Sequence, residues 1–165
     1  MFTVTIIYFH PLVEYASCVW SPCSVGLIRK IEPVQKRFTK RLPVWVFLII
    51  HERLALLGFE SIELRRLKAD FWVTYKIMFN LVDLNIDKFF AVRTNKITRG
   101  HQYTLVKPSV KFVPVCKVRA RSNIFACRVV DPWNNLDAKS NSFKSLNAFK
   151  NVLSLCDLSN FLVYK

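Results

Sequence analysis

The stretch SIELRRLKADFWVTYKIMFNLV, residues 61–82, decides the fold class of this chain. Ser61 is placed to cap a helix, and Glu63 suits the positive end of the helix dipole in the first turn. Apolar residues then recur three or four positions apart and form one long stripe: Leu64, Leu67, Phe71, Tyr75, Met78 and Val82. Further apolar residues widen this stripe, so we expect the second half of the helix to be deeply buried. We expect Arg65, Arg66 and Lys68 in the first half to point outward.

A second helical pattern covers residues 27–42 and separates apolar from basic side chains. Its predicted core side consists of residues that recur at helical spacing: Leu27, Ile31, Val34, Phe38 and Leu42. The opposite side is predicted to be continuously cationic: Arg29, Lys30, Lys36, Arg37, Lys40 and Arg41. Pro33 lies inside the pattern and removes a backbone hydrogen bond. The helix therefore either begins at Pro33, which places Arg29 and Lys30 in a separate turn, or kinks there.

The remaining patterns predict shorter elements. Helices are expected at 11–20, 51–57 and 145–155. Ser21 and Pro22 are expected to end the first of them, and Gly58 the second. Another is expected after Ser122, with Ile124, Phe125, Val129 and Trp133 on one face and Pro132 weakening its last turn. Residues 103–106 and 110–118 have the composition of strands, and a hairpin is expected around Pro108 and Ser109.

We therefore predict a mainly α fold with a small β-hairpin element, an α+β class. Residues 1–87 form the helical region. Residues 88–165 form a basic loop and hairpin followed by C-terminal helices, and the two regions are expected to pack as one unit. The 52% of hydrophobic residues argues for a globular chain.

The charge balance predicts a polyanionic partner. The formal net charge is +14, and residues 88–128 contain ten Lys or Arg residues and no acidic one. RNA, DNA and an anionic membrane surface all fit such a field. The five cysteines are irregularly spaced, which favours free, mostly buried thiols in a reducing compartment, so an intracellular location, cytoplasm or nucleus, is expected. The longest apolar run, residues 43–50, is too short for a transmembrane helix.

The sequence offers no pattern for catalysis. A two-metal polymerase needs paired aspartates to hold its ions, and the six aspartates of this chain are scattered. Zinc sites need paired ligands at close spacing, and Cys18 and Cys23 have no second close pair after them. We therefore expect no catalytic residue, no metal, no cofactor and no small-molecule substrate.

The basic residues are the candidates for contact with nucleic acid, because Lys and Arg neutralise phosphates and release counterions. The predicted contact residues are Lys36, Arg37, Lys40, Arg41, Arg65, Arg66, Lys68, Arg99, Lys107, Lys117, Arg119 and Arg121. Tyr103 and Phe112 lie among basic residues and either stack on unpaired bases or pack in the core. The cationic side of residues 27–42 either contacts phosphates or is a solvated surface.

Six blocks in this order resemble the region that follows the catalytic palm in jockey-like, non-LTR (LINE-type) retrotransposon reverse transcriptases. They are HPLVEYASCVWSP at 10–22, IEPVQKRFTKRLP at 31–43, and ERLALLGFESIELRRLKADFWVTYKIMFNLVDLNID at 52–87. They continue with TRGH at 98–101, RVVDPWNNL at 128–136 and SLNAFKN at 145–151. The resemblance covers nearly the whole chain.

The resemblance implies thumb and post-thumb structure of an RNA-directed DNA polymerase, whose catalytic aspartates lie upstream of all six blocks. It implies that the chain grips RNA or DNA without doing chemistry, and that an upstream palm is a partner in trans. It also implies that Lys36, Arg37, Lys40, Arg41, Arg65 and Arg66 occupy basic positions typical of the family.

The sequence departs from the family pattern at His10, at the apolar residues 44–50, and at Pro33 and Pro132. The chain begins where the palm would end, as expected for a truncated or decayed copy. Two further hypotheses stay open. One is an inert or partner-dependent structural remnant with no activity of its own. The other is a peripheral binder of anionic membranes.

Overall fold

The computed structural model describes residues 10–22, 24–40, 49–93, 101–107, 124–137 and 140–162. The fold is mainly helical with a two-stranded antiparallel sheet, which confirms the predicted α+β class. The chain divides into two compact units, Met1–Leu67 with Leu162–Lys165 and Lys68–Phe161. The division expected between residues 87 and 88 stays a prediction.

The described residues of the first unit contain four helices and the start of a fifth. They are α1 (His10–Glu14), α2 (Ser17–Trp20), α3 (Val25–Lys40), α4 (Ile50–Leu57) and α5 (Ile62–Met78), which continues into the second unit. The helix expected at 11–20 is divided, because Ala16 adopts a left-handed conformation with φ 50°. Among the described residues of the first unit, the buried apolar side chains are those of Ile28, Leu54 and Ile62.

Local signals set the C-terminal end of α4 and the start of α5, as predicted. Gly58 follows α4 with φ 64°, a backbone conformation that favours glycine and closes the last turn of a helix. The hydroxyl of Ser61 accepts a hydrogen bond from the Leu64 amide at 3.2 Å, so Ser61 caps α5. Helix α5 ends at Met78, before Val82, and Asn80 has a positive φ of 53°.

Helix α3 runs from Val25 to Lys40 with Pro33 in its interior. The alternative in which the helix begins at Pro33 is therefore wrong, and Arg29 and Lys30 belong to the same helix as Lys36. Pro33 has no amide hydrogen to offer the Arg29 carbonyl four residues earlier. The helix continues across this position because Glu32 and Gln35, on its inward side, are bonded to the backbone of Glu63 and Glu60.

The second unit contains the sheet and the C-terminal helices. Strands β1 (Ala91–Val92) and β2 (Leu105–Val106) pair antiparallel, with Val92 opposite Leu105. The side chain of Asn134 binds the other edge of β2, since its amide oxygen and nitrogen each lie 2.8 Å from the backbone of Leu105. The strand predicted at 103–106 is thus present in part, whereas the hairpin at Pro108 and Ser109 lies outside the described residues.

Among its described residues this unit also contains the α-helices α6 (Phe125–Arg128), α7 (Val130–Asn134) and α8 (Leu146–Leu155). Pro132 divides the predicted single helix into α6 and α7, since a proline ring clashes with the carbonyl four residues before it, here that of Arg128. Of the four residues expected on one face, Val129 and Trp133 are fully buried, Phe125 is half-buried and Ile124 is 39% exposed. Ser145 caps α8 by accepting from the Ala148 amide at 3.1 Å. Helical spacing predicts that Leu146, Phe149 and Leu153 point inward. Phe149 and Leu153 are buried, whereas Leu146 is half-buried.

Trp133 lies at the centre of an aromatic core in the second unit. Its ring packs against Phe71, Phe143 and Phe149 with centroid separations of 6.0, 5.8 and 5.4 Å. Its indole nitrogen donates to the Tyr103 carbonyl at 2.8 Å, so the one polar atom of the side chain is satisfied. The core thereby joins α5, α7, α8 and the segment that leads into β2.

His101 belongs to the same core and is held in its neutral form. Its Nε2 donates to the Trp133 carbonyl at 2.8 Å, and its Nδ1 accepts from the Tyr103 amide at 3.2 Å. Only 6% of the residue is exposed, and this burial lowers the pKa of the imidazole below its usual value, although the hydrogen bond to Trp133 acts in the opposite sense. A histidine in this arrangement supports the fold only while it is uncharged.

Acid should therefore weaken the second unit. Below about pH 6.5 the unfolded chain takes up a proton at His101 that the folded chain does not, so stability falls as the pH drops. The loss is as much as about 1.4 kcal/mol per pH unit until the folded pKa is reached. Urea unfolding at about pH 7.5 and about pH 5.5 measures this change. In His101→Gln, which retains His10 and His51, the pH dependence should be clearly smaller; an unchanged dependence would assign the effect to other groups.

Candidate nucleic-acid interface

Helix α3 presents the largest group of exposed basic side chains in the described part of the chain. Lys36, Arg37 and Lys40, all predicted contact residues, are exposed, as are Arg29 and Lys30. At about 100° per residue they form two rows along the helix. The first row contains Arg29, Lys36 and Lys40, and the second contains Lys30 and Arg37. Among the described residues, no acidic side chain is paired with any of these five.

The inward side of α3 is polar, which contradicts the predicted core side. Its buried residues are Ile28, Glu32, Gln35 and Thr39, which are 4%, 7%, 1% and 0% exposed. Leu27 and Val34, which were expected in the core, are 50% and 46% exposed. The buried side of α3 is rotated about the helix axis by about 100°, the angle between neighbouring residues, from the side that the apolar pattern predicts.

Specific hydrogen bonds explain why a polar side is buried. Gln35 donates through Nε2 to the Glu60 carbonyl at 3.0 Å, and Thr39 donates to the Gln35 carbonyl at 3.0 Å. Glu32 accepts from the Glu63 amide at 2.8 Å and so caps the N-terminus of α5 from a neighbouring helix. Buried polar groups are tolerated when they are paired in this way. The Oε1 of Gln35 is the exception on this side, since it is buried without a hydrogen-bond partner among the described residues. The bonds of Glu32 and Gln35 to residues outside α3 fix the rotation of this helix and leave both cationic rows facing solvent.

Glu32 is the titratable group of this contact. Burial raises the pKa of its carboxyl above the usual value, and the repulsion from Glu63 adds to the rise. The backbone amides of Glu63 and Ile62 and the charge of Arg66 act in the opposite sense. The carboxyl is therefore used for packing and capping, and it does not neutralise the cationic rows.

The predicted contact residues on α5 do not point outward, so that expectation is wrong. Arg66 is 4% exposed, and its guanidinium lies 4.6 Å from the ring centroid of Trp20. Arg65 is half-buried and forms a bidentate ion pair with Glu14. Lys68 is 8% exposed. Arg65 and Arg66 hold α1 and α2 against the first turns of α5, a role that apolar periodicity does not reveal.

Of the remaining predicted contact residues, one forms an ion pair and the other five lie outside the described residues. Lys107 is exposed, and its Nζ lies 2.7 Å from a carboxylate oxygen of Asp131. Arg41, Arg99, Lys117, Arg119 and Arg121 lie outside the described residues. The structure therefore places three predicted residues, Lys36, Arg37 and Lys40, together on an open surface.

Arg29 and Lys30 extend this surface and were not among the predicted contact residues. Their positions in the cationic pattern were visible in the sequence, but Pro33 left open whether they belonged to the same helix. The continuity of α3 answers that question. We call the exposed side that contains Arg29, Lys30, Lys36, Arg37 and Lys40 the cationic face.

Of the two aromatic residues that were candidates for base stacking, Tyr103 is described by the structure and Phe112 is not. Tyr103 is half-buried, and its ring lies 5.1 Å from that of Phe79 and 4.9 Å from that of Phe143, measured between centroids. Core packing therefore accounts for Tyr103. Phe112 lies outside the described residues.

Two features of the described residues bear on other kinds of site. No group of three or more His, Cys, Asp or Glu side chains comes together there as a metal site would require. No helix in that part of the chain is both long and apolar enough to cross a bilayer. In comparisons with known proteins, the chain matches no protein-family model, no curated protein and no solved structure.

Proposed function

We propose that this chain is a non-catalytic C-terminal fragment of a retrotransposon RNA-directed DNA polymerase, and that it binds the backbone of RNA or DNA through the cationic face of α3. The family origin is supported by the six sequence blocks in their order. The binding activity is supported above all by five exposed basic side chains on one helix, none paired with an acid among the described residues.

The cationic face suits a phosphate backbone because its charges repeat along the helix axis. Lys36 and Lys40 are one helical turn apart, about 6 Å along the axis, and Arg29 extends the same row. Lys30 and Arg37 form a parallel row on the same face. Contacts of this kind attract all nucleic-acid sequences alike, since they read charge and not base edges. We therefore propose binding without sequence specificity.

In this proposal the chain performs no chemistry. Asp70 is buried and its carboxylate is paired with Arg128, with oxygen to nitrogen distances of 2.8 and 2.9 Å, so it serves packing. An upstream palm would supply the catalytic aspartates, and this chain would bind the same nucleic acid beside it.

Replacing Lys36, Arg37 and Lys40 together by glutamine tests the face. We expect the affinity for an RNA–DNA hybrid to fall by about tenfold or more at low salt, because three phosphate contacts are lost. The slope of log affinity against log salt should become shallower by about two to three for the same reason. Fluorescence anisotropy at several salt concentrations measures both quantities.

The matched control removes three lysines from the second unit, Lys76, Lys144 and Lys150, again by glutamine. Both variants carry a net charge of +11, which is +14 less three. If the control lowers the affinity and the slope as much as the α3 variant, the binding depends on net charge and the cationic face is not the site. If the unsubstituted chain binds no nucleic acid even at low salt, it is an inert remnant.

A further inference from the structure

A second exposed surface of α3 is apolar, and the proposed nucleic-acid binding gives it no role. Leu27, Ile31 and Val34 recur at helical spacing and form what we call the apolar stripe. Leu27 and Val34 are 50% and 46% exposed, and Ile31 is half-buried. Gln35 and Thr39 on the inward side are 1% and 0% exposed. Buried polar side chains together with exposed apolar ones on the same helix are more informative than a single exposed leucine.

The charges beside the stripe indicate what kind of surface it fits. On the helical wheel, Lys30 and Arg37 lie next to Val34 and Leu27, so one edge of the stripe is cationic. Helices that lie in the plane of a bilayer combine an apolar strip with Lys and Arg, because the apolar side chains enter the acyl boundary while the charges stay among anionic headgroups. Phosphate backbones make no use of exposed leucine and valine.

We propose that α3 lies on an anionic lipid surface, with the apolar stripe inserted at the acyl boundary and with Lys30 and Arg37 among the headgroup phosphates. This inference goes beyond the proposed function and does not depend on it. A bilayer is favoured over a peptide because the stripe lies on the outside of a helix, and peptide helices dock in grooves. A second copy is disfavoured because two chains of charge +14 repel each other.

The test uses the full chain with sedimented vesicles of phosphatidylcholine alone or mixed equally with phosphatidylserine. We expect binding to the mixed vesicles, weaker binding in high salt, and little binding to phosphatidylcholine alone. The double variant Leu27→Gln/Val34→Gln removes two half-exposed apolar side chains and should lose about tenfold or more in vesicle partitioning. Its affinity for RNA should equal that of the unsubstituted chain.

The control Leu81→Gln/Leu155→Gln removes two leucines of the second unit that are 56% and 86% exposed. It should bind the mixed vesicles as the unsubstituted chain does. The inference is overturned if the unsubstituted chain does not bind these vesicles, or if the stripe variant binds them equally well. Self-association that the stripe variant abolishes, without vesicle binding, would assign the stripe to a second copy instead. Since RNA binding is measured in parallel, failure here leaves the proposed function standing.

Discussion

Replacing Trp133 by alanine should lower the free energy of unfolding of the second unit by about 4 kcal/mol, because large-to-small changes at buried tryptophans leave a cavity that the core fills only partly. Trp133 is 0% exposed and is packed against three phenylalanine rings. The change also leaves the Tyr103 carbonyl without its indole donor. Urea unfolding of the full chain measures the loss.

Two further variants separate the causes. Trp133→Phe retains an aromatic ring but loses the indole hydrogen bond, so it should lose less stability than Trp133→Ala. Leu155→Ala removes a side chain that is 86% exposed and should change stability by less than about 0.5 kcal/mol. If Trp133→Ala cost no more than Leu155→Ala, the aromatic core would not be the basis of the second unit.

Arg128→Met should destabilise the second unit by about 3–5 kcal/mol, because it leaves a buried carboxylate without its partner. The side chain of Asp70 is 4% exposed and that of Arg128 is 18% exposed, and the two form a bidentate pair. The double variant Asp70→Leu/Arg128→Met removes both charges and should be more stable than Arg128→Met alone. If the two side chains contributed only by filling space, the double variant would not be more stable than Arg128→Met.

The exposed pair of Lys107 and Asp131 supplies the matched comparison. Its side chains are 52% and 65% exposed, although the distance between the charged atoms is 2.7 Å. Lys107→Met should cost less than about 1 kcal/mol, because solvent screens exposed ion pairs. Similar losses for Arg128→Met and Lys107→Met would contradict the assignment of Asp70 and Arg128 as a structural pair.

Elements with a local cause could be predicted from the sequence. The glycine that ends α4, the serine cap of α5 and the inward positions of Phe149 and Leu153 depend on residues within a few positions of one another. The α+β class was predicted from the helical spacing of apolar residues and from the strand-like composition of residues 103–106 and 110–118. The division into α6 and α7 also has a local cause, Pro132, but it acts on the carbonyl of Arg128 and so breaks the helix earlier than expected.

Features that depend on distant partners could not be predicted. The rotation of α3 is set by Glu32 and Gln35, which bind backbone groups of Glu63 and Glu60 across 31 and 25 residues. Hydrophobic periodicity assigns such polar side chains to solvent, so it placed Leu27 and Val34 in the core instead. The burial of Arg66 follows from its contact with Trp20, which no spacing rule relates to it. The predicted exposure of Lys36, Arg37 and Lys40 agrees with the structure, because the observed inward side of α3 also lies away from these residues.

The central claim, that the cationic face binds a nucleic-acid backbone, is tested most directly by titrating the full chain into a labelled RNA–DNA hybrid at several salt concentrations. The account predicts submicromolar affinity at low salt and a steep negative salt slope, because each neutralised phosphate releases counterions. No binding at low salt would contradict the account and would mean that the charge of +14 reflects ancestry and not a present activity.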